Sequence, residues 1–390
     1  MSDHQIITPH EAGFYLPAEW APHAATWFSW PHCSETWPGH LREAETTIAR
    51  SIAQLAQAPA ECSERIEILV QQPSDAERVS KILHFWDTNM DRVRFHPFPT
   101  NDVWIRDYGP TFLVRDDNAN DGLGTLALVD WRFDGWGGKG ASYYGAHDGL
   151  DNQVPQRIAQ ALDIHRFEAQ LVLEGGAFDH NGEGTLLTTR NCLLHRQPKS
   201  AETADLQTLE SFEEAFERYL GTQHVIWLDG VDFTGDDTEG HIDNLSRFVA
   251  RDTIVTVVGN DSSDPLYEQL ELNYKQLQNA RDAKGQPFNI VRLPLPKPVW
   301  YNSVFEGKEG RWNYPASYGN FYIGNSCVLV PTFSDHNDLQ ALNILSKCFP
   351  KREIIPIDCS HYILGQGAIH CSTQQQPAHI QAKPALFNAA

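Results

Sequence analysis

No two of the seven cysteines (Cys33, Cys62, Cys192, Cys327, Cys348, Cys359 and Cys371) stand at Cys-x-x-Cys spacing, and their number is odd. Neither a disulfide framework nor a zinc knuckle is suggested, and a reducing, cytoplasmic setting suits the set best. Long apolar runs are missing too. None approaches the ~18 residues of a membrane helix, and the opening MSDHQIITPHEAGFYLP lacks the basic start and apolar stretch of a secretory signal. Cations are scarce: 30 Lys and Arg face 51 Asp and Glu, a formal net charge of −21. Nucleic acid is therefore not an expected partner, because binding phosphates takes Lys and Arg to displace counterions. An acidic surface instead concentrates a cationic ligand. No Ser/Gly-rich linker, charge block or low-complexity run cuts the chain into domains.

What is present is a succession of short strand-like runs: IEILV (66–70), TLALVDW (125–131), LVLEGG (171–176), TLLTT (185–189), HVIWL (224–228), TIVTVV (253–258), NIVRLPLP (289–296), FYIGNSCVLVP (321–331) and EIIPI (353–357). The Asn181-Gly182 and Gly324-Asn325 steps are hairpin turn signals, since these residues tolerate positive φ. Helical spacing of apolar residues falls at 45–58, 205–221 (Gly221 as its stop), 265–285 (Pro265 at its start) and 338–350, ended by Pro350. Strands alternating with helices argue an α/β fold, and the hairpins argue small mixed sheets. The unit that recurs is a strand hairpin, a helix and another strand.

Four polar constellations interrupt this pattern. In NDVWIRDYGP (101–110), Asp102, Arg106 and Asp107 interleave with Trp104 and Ile105. An internal salt bridge in a solvated loop is one reading. A carboxylate beside an indole, suited to gripping a planar cation, is the other. In GDDTEGHIDN (235–244), His241 and Asp243 are two apart and share a face if the segment is extended. They could be a metal pair, a structural pair, or an acid/base histidine beside a substrate carboxylate. Metal ranks last, because no third and fourth ligand stand at suggestive spacing. In LEGGAFDHNGEG (173–184), Glu174 ends an apolar run before two glycines, a close-approach site or merely a turn.

The fourth is GQGAIHCSTQQQP (365–377). A lone cysteine is usually a small buried apolar group, and the remaining cysteines are read that way. Cys371 instead stands between glycines and a polar run. His370 is next to it, but adjacent side chains of an extended backbone point apart. The histidine serving Cys371 must come from elsewhere in the chain, and His241 is the candidate.

NDVWIRDYGP, LEGG with NGEGTLLTT, DDTEGHIDN and IHCSTQQQP, in this order, resemble the motifs of the agmatine deiminase family, a branch of the guanidine-modifying pentein superfold. EAGFYLPAEWAPHAATWFSWP (11–31) and ASYGNFYIGNSCVLVP (316–331) extend the resemblance over about residues 11–377. It implies one domain spanning 1–390, a five-bladed α/β propeller with pseudo-fivefold symmetry of ββαβ-type units and a site on its axis. It also implies Cys371 as nucleophile, His241 as acid/base, Asp107 and Asp243 as grips on a guanidinium, and Glu174 and Trp104 as pocket residues. The expected ligand is a small cationic guanidine, with neither metal nor organic cofactor, and self-association is hinted at. The chain departs from the family pattern in having Glu239 for Asn and Gln366-Gly367-Ala368 for Gly-Gly-Asn, both where a substrate tail could be sensed. Rival readings are a peptidylarginine deiminase, a deiminase of some other guanidine, an amidinotransferase, and a non-catalytic guanidine binder.

Overall fold

The computed structural model describes residues 7–378 apart from 116–120, 139–148, 197–207, 232, 234, 260, 263–264 and 306–307. Among the described residues the strands form six small sheets, none of them closed. Five follow one recipe. An antiparallel pair comes first, a helix crosses over, and the next strand adds in parallel. Phe178–His180 and Thr185–Thr189 pair antiparallel across the Asn181-Gly182 turn, and His224–Leu228 then lies parallel to Thr185–Thr189. Ser246–Ala250, Thr253–Val258 and Asn289–Pro294 repeat this, as do Tyr322–Ile323, Cys327–Thr332 and Glu353–Asp358. Thr111–Val114, Leu126–Arg132 and His165–Val172 make another such sheet. In the remaining one the last strand, Thr373–Pro377, pairs antiparallel with the first, His23–Ser29, which then runs parallel to Arg65–Leu69, itself parallel to Val93–His96. The two ends of the described chain are thereby hydrogen-bonded together.

The crossover helices obey their sequence pattern. Leu41–Ala56 buries Ala44, Ile48, Ile52 and Leu55, one stripe at three- and four-residue steps. Leu209–Leu220 buries Phe212, Phe216 and Leu220, is capped by the Thr208 hydroxyl accepting from Ser211 N, and stops at Gly221 in the left-handed region. Residues 205–207 of that expected helix lie outside the described residues. Asp338–Cys348 forms as expected. The expected helix 265–285 is corrected: it spans Tyr267–Asn279, and beyond it Arg281 and Pro287 form an isolated antiparallel bridge. Helices Asp75–Phe85 and Val154–Leu162, and the hairpin Val299–Phe305 with Lys308–Tyr314, were not expected.

Apolar side chains form two contiguous clusters. One runs from Trp27 to Cys371 through most of the chain, and the other gathers Phe14, Val129, Phe167, Phe212 and Phe216. Among the described residues no helix is long and apolar enough to cross a membrane.

Candidate active site

The two local conformations assumed for the motif residues are corrected. Asp107 lies in a one-turn helix, Ile105–Tyr108, whose backbone is tied to the end of the chain by Arg106 N donating to Cys371 O (3.1 Å). His241 and Asp243 are not on a strand. His241 precedes a 3₁₀ turn, Ile242–Asn244, entered through Gly240, whose carbonyl accepts from Thr189 Oγ1 (2.8 Å). Glu174 follows strand His165–Val172 and opens the 3₁₀ turn Gly175–Ala177. Cys371 sits in the turn before the final strand.

Each of these turns points its polar group to one place, and Gly176 marks it. A methyl group there would meet His241 Nδ1 at 2.5 Å, Asp107 Oδ1 at 2.8 Å and Asp243 Oδ2 at 3.1 Å. Only glycine fits there without displacing them. Its amide also donates to Asp107 Oδ1 (3.0 Å). Cys371 Sγ lies 3.5 Å from Asp243 Oδ2. His241 Nδ1 is 3.7 Å from Asp107 Oδ1, and its Nε2 is 3.8 Å from Glu174 Oε2. Trp104 joins through the second glycine that matters: a methyl group on Gly367 would press on the Trp104 ring (2.5 Å) and on Cys371 Cβ (3.0 Å). All six residues singled out in the sequence are thus buried in one neighbourhood.

The polar groups are strongly perturbed. Burial pushes the Asp107 carboxyl up to about 6; His241 opposes this, while Asp243 and Glu174 add to it. Asp243 is held below the usual carboxylate range: burial works against ionisation, but the hydrogen bond and charge of His370 outweigh it, helped by His241 and Arg247. Burial also works against a charged His241, yet Asp107, Cys192 and Glu174 raise its pKa well above the ordinary histidine value. The Cys371 thiol is raised well above the ordinary range by burial and then by Asp243 and Asp107, with Asn320 working the other way.

Several participants receive no role from the sequence. Asn320 Nδ2 donates to Cys371 Sγ (3.0 Å), and its Oδ1 accepts from Cys371 N (3.3 Å). Trp136 Nε1 donates to Asp107 Oδ2 (3.0 Å) from a left-handed backbone (φ 57°). His370 is not turned to Cys371. Its ring nitrogens lie 2.7 Å from Asp243 Oδ2 and 2.8 Å from Glu19 Oε1, and Glu19 in turn pairs with Arg106 and Arg247. Of the two readings left open for Asp102 and Arg106, the solvated loop is not found: both are buried, Asp102 accepting from Thr36 Oγ1, Val103 N and Trp104 Nε1, and Arg106 pairing with Glu19. Cys192, read as a small apolar group, lies against His241 and Glu174.

A sequence model described as the Porphyromonas-type peptidyl-arginine deiminase family matches residues 15–377. The agmatine deiminase of Medicago truncatula is 34% identical over 395 residues, covering 96% of this chain and 99% of the plant protein. The solved agmatine deiminase of Enterococcus faecalis superposes with a TM-score of 0.82 at 29% identity, over 97% of this chain and 100% of that one. A cysteine-to-serine variant of the C. jejuni agmatine deiminase, solved with substrate bound, gives 0.77 at 27% identity over 94% and 97%. These relatives make the chain an enzyme of the deiminase class, a hydrolase of C–N bonds. It belongs to the Porphyromonas-type peptidyl-arginine deiminase family.

Proposed function

We propose that this protein is an agmatine deiminase, hydrolysing agmatine to N-carbamoylputrescine and ammonia, with Cys371 as nucleophile. The observation that carries the chemistry is the convergence of Cys371, His241, Asp107 and Asp243 around Gly176. A guanidinium is a poor electrophile because its charge is spread over three nitrogens. Asp107 and Asp243 accept its N–H groups in pairs and turn the central carbon toward Cys371 Sγ.

The thiol is neutral in the empty site, since burial and two carboxylates oppose its ionisation. The arriving cation reverses that balance and favours the thiolate. Sulfur attacks the guanidinium carbon. His241, kept protonated by Asp107, Cys192 and Glu174 against the cost of burial, gives its proton to the departing nitrogen, which leaves as ammonia. A thiouronium remains on Cys371. Neutral His241 then takes a proton from water, whose oxygen adds to the carbon; the C–S bond breaks and the ureido product leaves. Glu174 orients the imidazole and Trp104 covers the guanidinium. The scheme uses neither metal nor organic cofactor.

Agmatine is preferred to arginine because it has no carboxylate to pair and a cationic far end that suits an acidic protein. Glu239 and Gln366, where the chain leaves the family pattern, both take left-handed φ (58° and 72°), and Gln366 Oε1 accepts from Asp237 N (3.1 Å). These two stretches are assigned to the substrate tail. The five like-built sheets are assigned as blades about a common axis, in one domain spanning 1–390. The enzyme is assigned to the cytoplasm with no nucleic-acid partner, the resemblance hinting at self-association. Ammonia release from agmatine and from arginine, measured side by side, tests the substrate. Faster turnover of arginine would reverse the assignment.

A further inference from the structure

We infer that Glu174, Cys192 and His241 form a binding site for a thiophilic divalent cation of the zinc type, and that its occupation switches the enzyme off. One ligand atom from each residue (a carboxylate oxygen, a thiol sulfur and an imidazole nitrogen) lies within 4.8 Å of the other two, and all three residues are buried. The three come from separate segments: the turn after His165–Val172, the helix Arg190–Arg196 and the turn before Ile242–Asn244.

The donor set is selective. Thiolate, imidazole and carboxylate together suit zinc better than magnesium or calcium, which take oxygen ligands alone. Around a tetrahedral zinc with bonds of about 2.0–2.3 Å, neighbouring donors sit roughly 3.3–3.6 Å apart. His241 Nε2 and Glu174 Oε2 are 3.8 Å apart, a few tenths from that spacing. The other ring nitrogen, Nδ1, faces Asp107 Oδ1 at 3.7 Å. A carboxylate behind a liganding imidazole fixes the ring, as at many zinc centres. Three protein ligands leave a fourth position for water. On binding, His241 and Cys192 coordinate as neutral imidazole and thiolate, the protons they held passing to solvent, and no electron changes hands.

The inhibitory consequence rests on His241 being the acid/base of the proposed reaction; the binding site itself does not. The two are therefore tested separately. Binding is read without turnover, by competition between the purified full-length protein and a chromophoric zinc chelator, and by the sulfur-to-metal absorption of added Co²⁺. The wild type is expected to take one tightly held Zn²⁺ per chain and to show the cobalt band. Cys192→Ser should weaken zinc at least tenfold and abolish the band, with its circular dichroism unchanged. Cys371→Ser should keep both within about threefold. Glu174→Gln, should Cys192→Ser fail to fold, is expected to weaken zinc similarly. Loss in Cys371→Ser with retention in Cys192→Ser would put the ion on the nucleophile and overturn the proposal, as would absence of tight binding by the wild type. Inhibition of ammonia release by Zn²⁺, reversed by EDTA, is the expected consequence. Full activity at saturating zinc would overturn the switch.

Discussion

His370 braces Asp243: its Nδ1 lies 2.7 Å from Asp243 Oδ2, and the same carboxylate oxygen is 3.5 Å from Cys371 Sγ. The residue beside the proposed nucleophile in sequence thus contacts the group opposite it in space, and Glu19 secures the far side of the ring at 2.8 Å. His370 is a positioning residue. A hydrogen bond to a charged group is worth roughly 1.5–3 kcal/mol, so His370→Ala should lower kcat/KM for agmatine by about 10- to 100-fold. Asp243 then loses the partner that favours its ionised form, and the acid side of the pH profile should move upward. His370→Asn keeps a donor near Nδ1 and should recover part of both effects. An alanine variant with an unmoved pH profile would refute the bracing role.

In the proposed reaction Asp107 sets the acid limit. Its carboxyl, pushed up to about 6 mainly by burial, takes up a proton as pH falls through that value and loses one grip on the cation. kcat/KM should fall on the acid side with an apparent pKa near 6. Stability runs the other way. The folded-state pKa lies above the unfolded value of about 3.9, so stability declines as pH rises from about 4 to 6 and is level above that, a loss on the order of 3 kcal/mol. Asp107→Asn should therefore be inactive yet melt at a higher temperature than wild type at pH 7, with the gap closing near pH 4. Scanning calorimetry at the two pH values reads this.

Gly176 is where a side chain would collide with the groups of the proposed reaction. Gly176→Ala places a methyl 2.5 Å from His241 Nδ1 and 2.8 Å from Asp107 Oδ1, which displaces both or excludes the guanidinium. A misplacement of about 1 Å costs on the order of 100-fold in rate. We expect at least that loss, with agmatine binding by calorimetry weakened in parallel. Undiminished binding would mean that the guanidinium lies elsewhere.

Glu239 occupies a left-handed conformation at φ 58°, which asparagine adopts more readily. Glu239→Asn should stabilise the protein by about 1 kcal/mol. If the tail amine meets this half-buried carboxylate, the preference for agmatine over arginine should drop at least roughly two- to fivefold, the scale of a charge pair near the surface. Side-by-side kcat/KM values for the two substrates decide it; an unchanged ratio removes Glu239 from the tail site.

Local pattern made much of the fold legible. HVIWL and TIVTVV are strands over their full length, and the Asn181-Gly182 and Gly324-Asn325 turns join antiparallel pairs. What escaped depends on distance along the chain. Pairing of Thr373–Pro377 with His23–Ser29 involves segments about 350 residues apart and leaves no trace in either run. The four polar motifs stood out because charged residues break apolar runs. Trp136 and Cys192 did not, and Asn320 and Glu19, though inside stretches that carry the resemblance, had no individual role until tertiary packing set them against Cys371 and His370. The turn conformations of His241 and Cys371 were not legible either: extended backbone is only a condition for the first and is expected for the second, because short polar segments carry no periodicity.

The central claim is a covalent bond between Cys371 and the substrate carbon. Acid quenching during turnover of agmatine, followed by mass spectrometry of the intact protein and its peptides, tests it most directly. The account predicts a population heavier by the mass of agmatine less ammonia, with the added mass on the peptide holding Cys371 and absent from Cys371→Ser. Steady ammonia release with Cys371 unmodified, or an adduct on another residue, would contradict it.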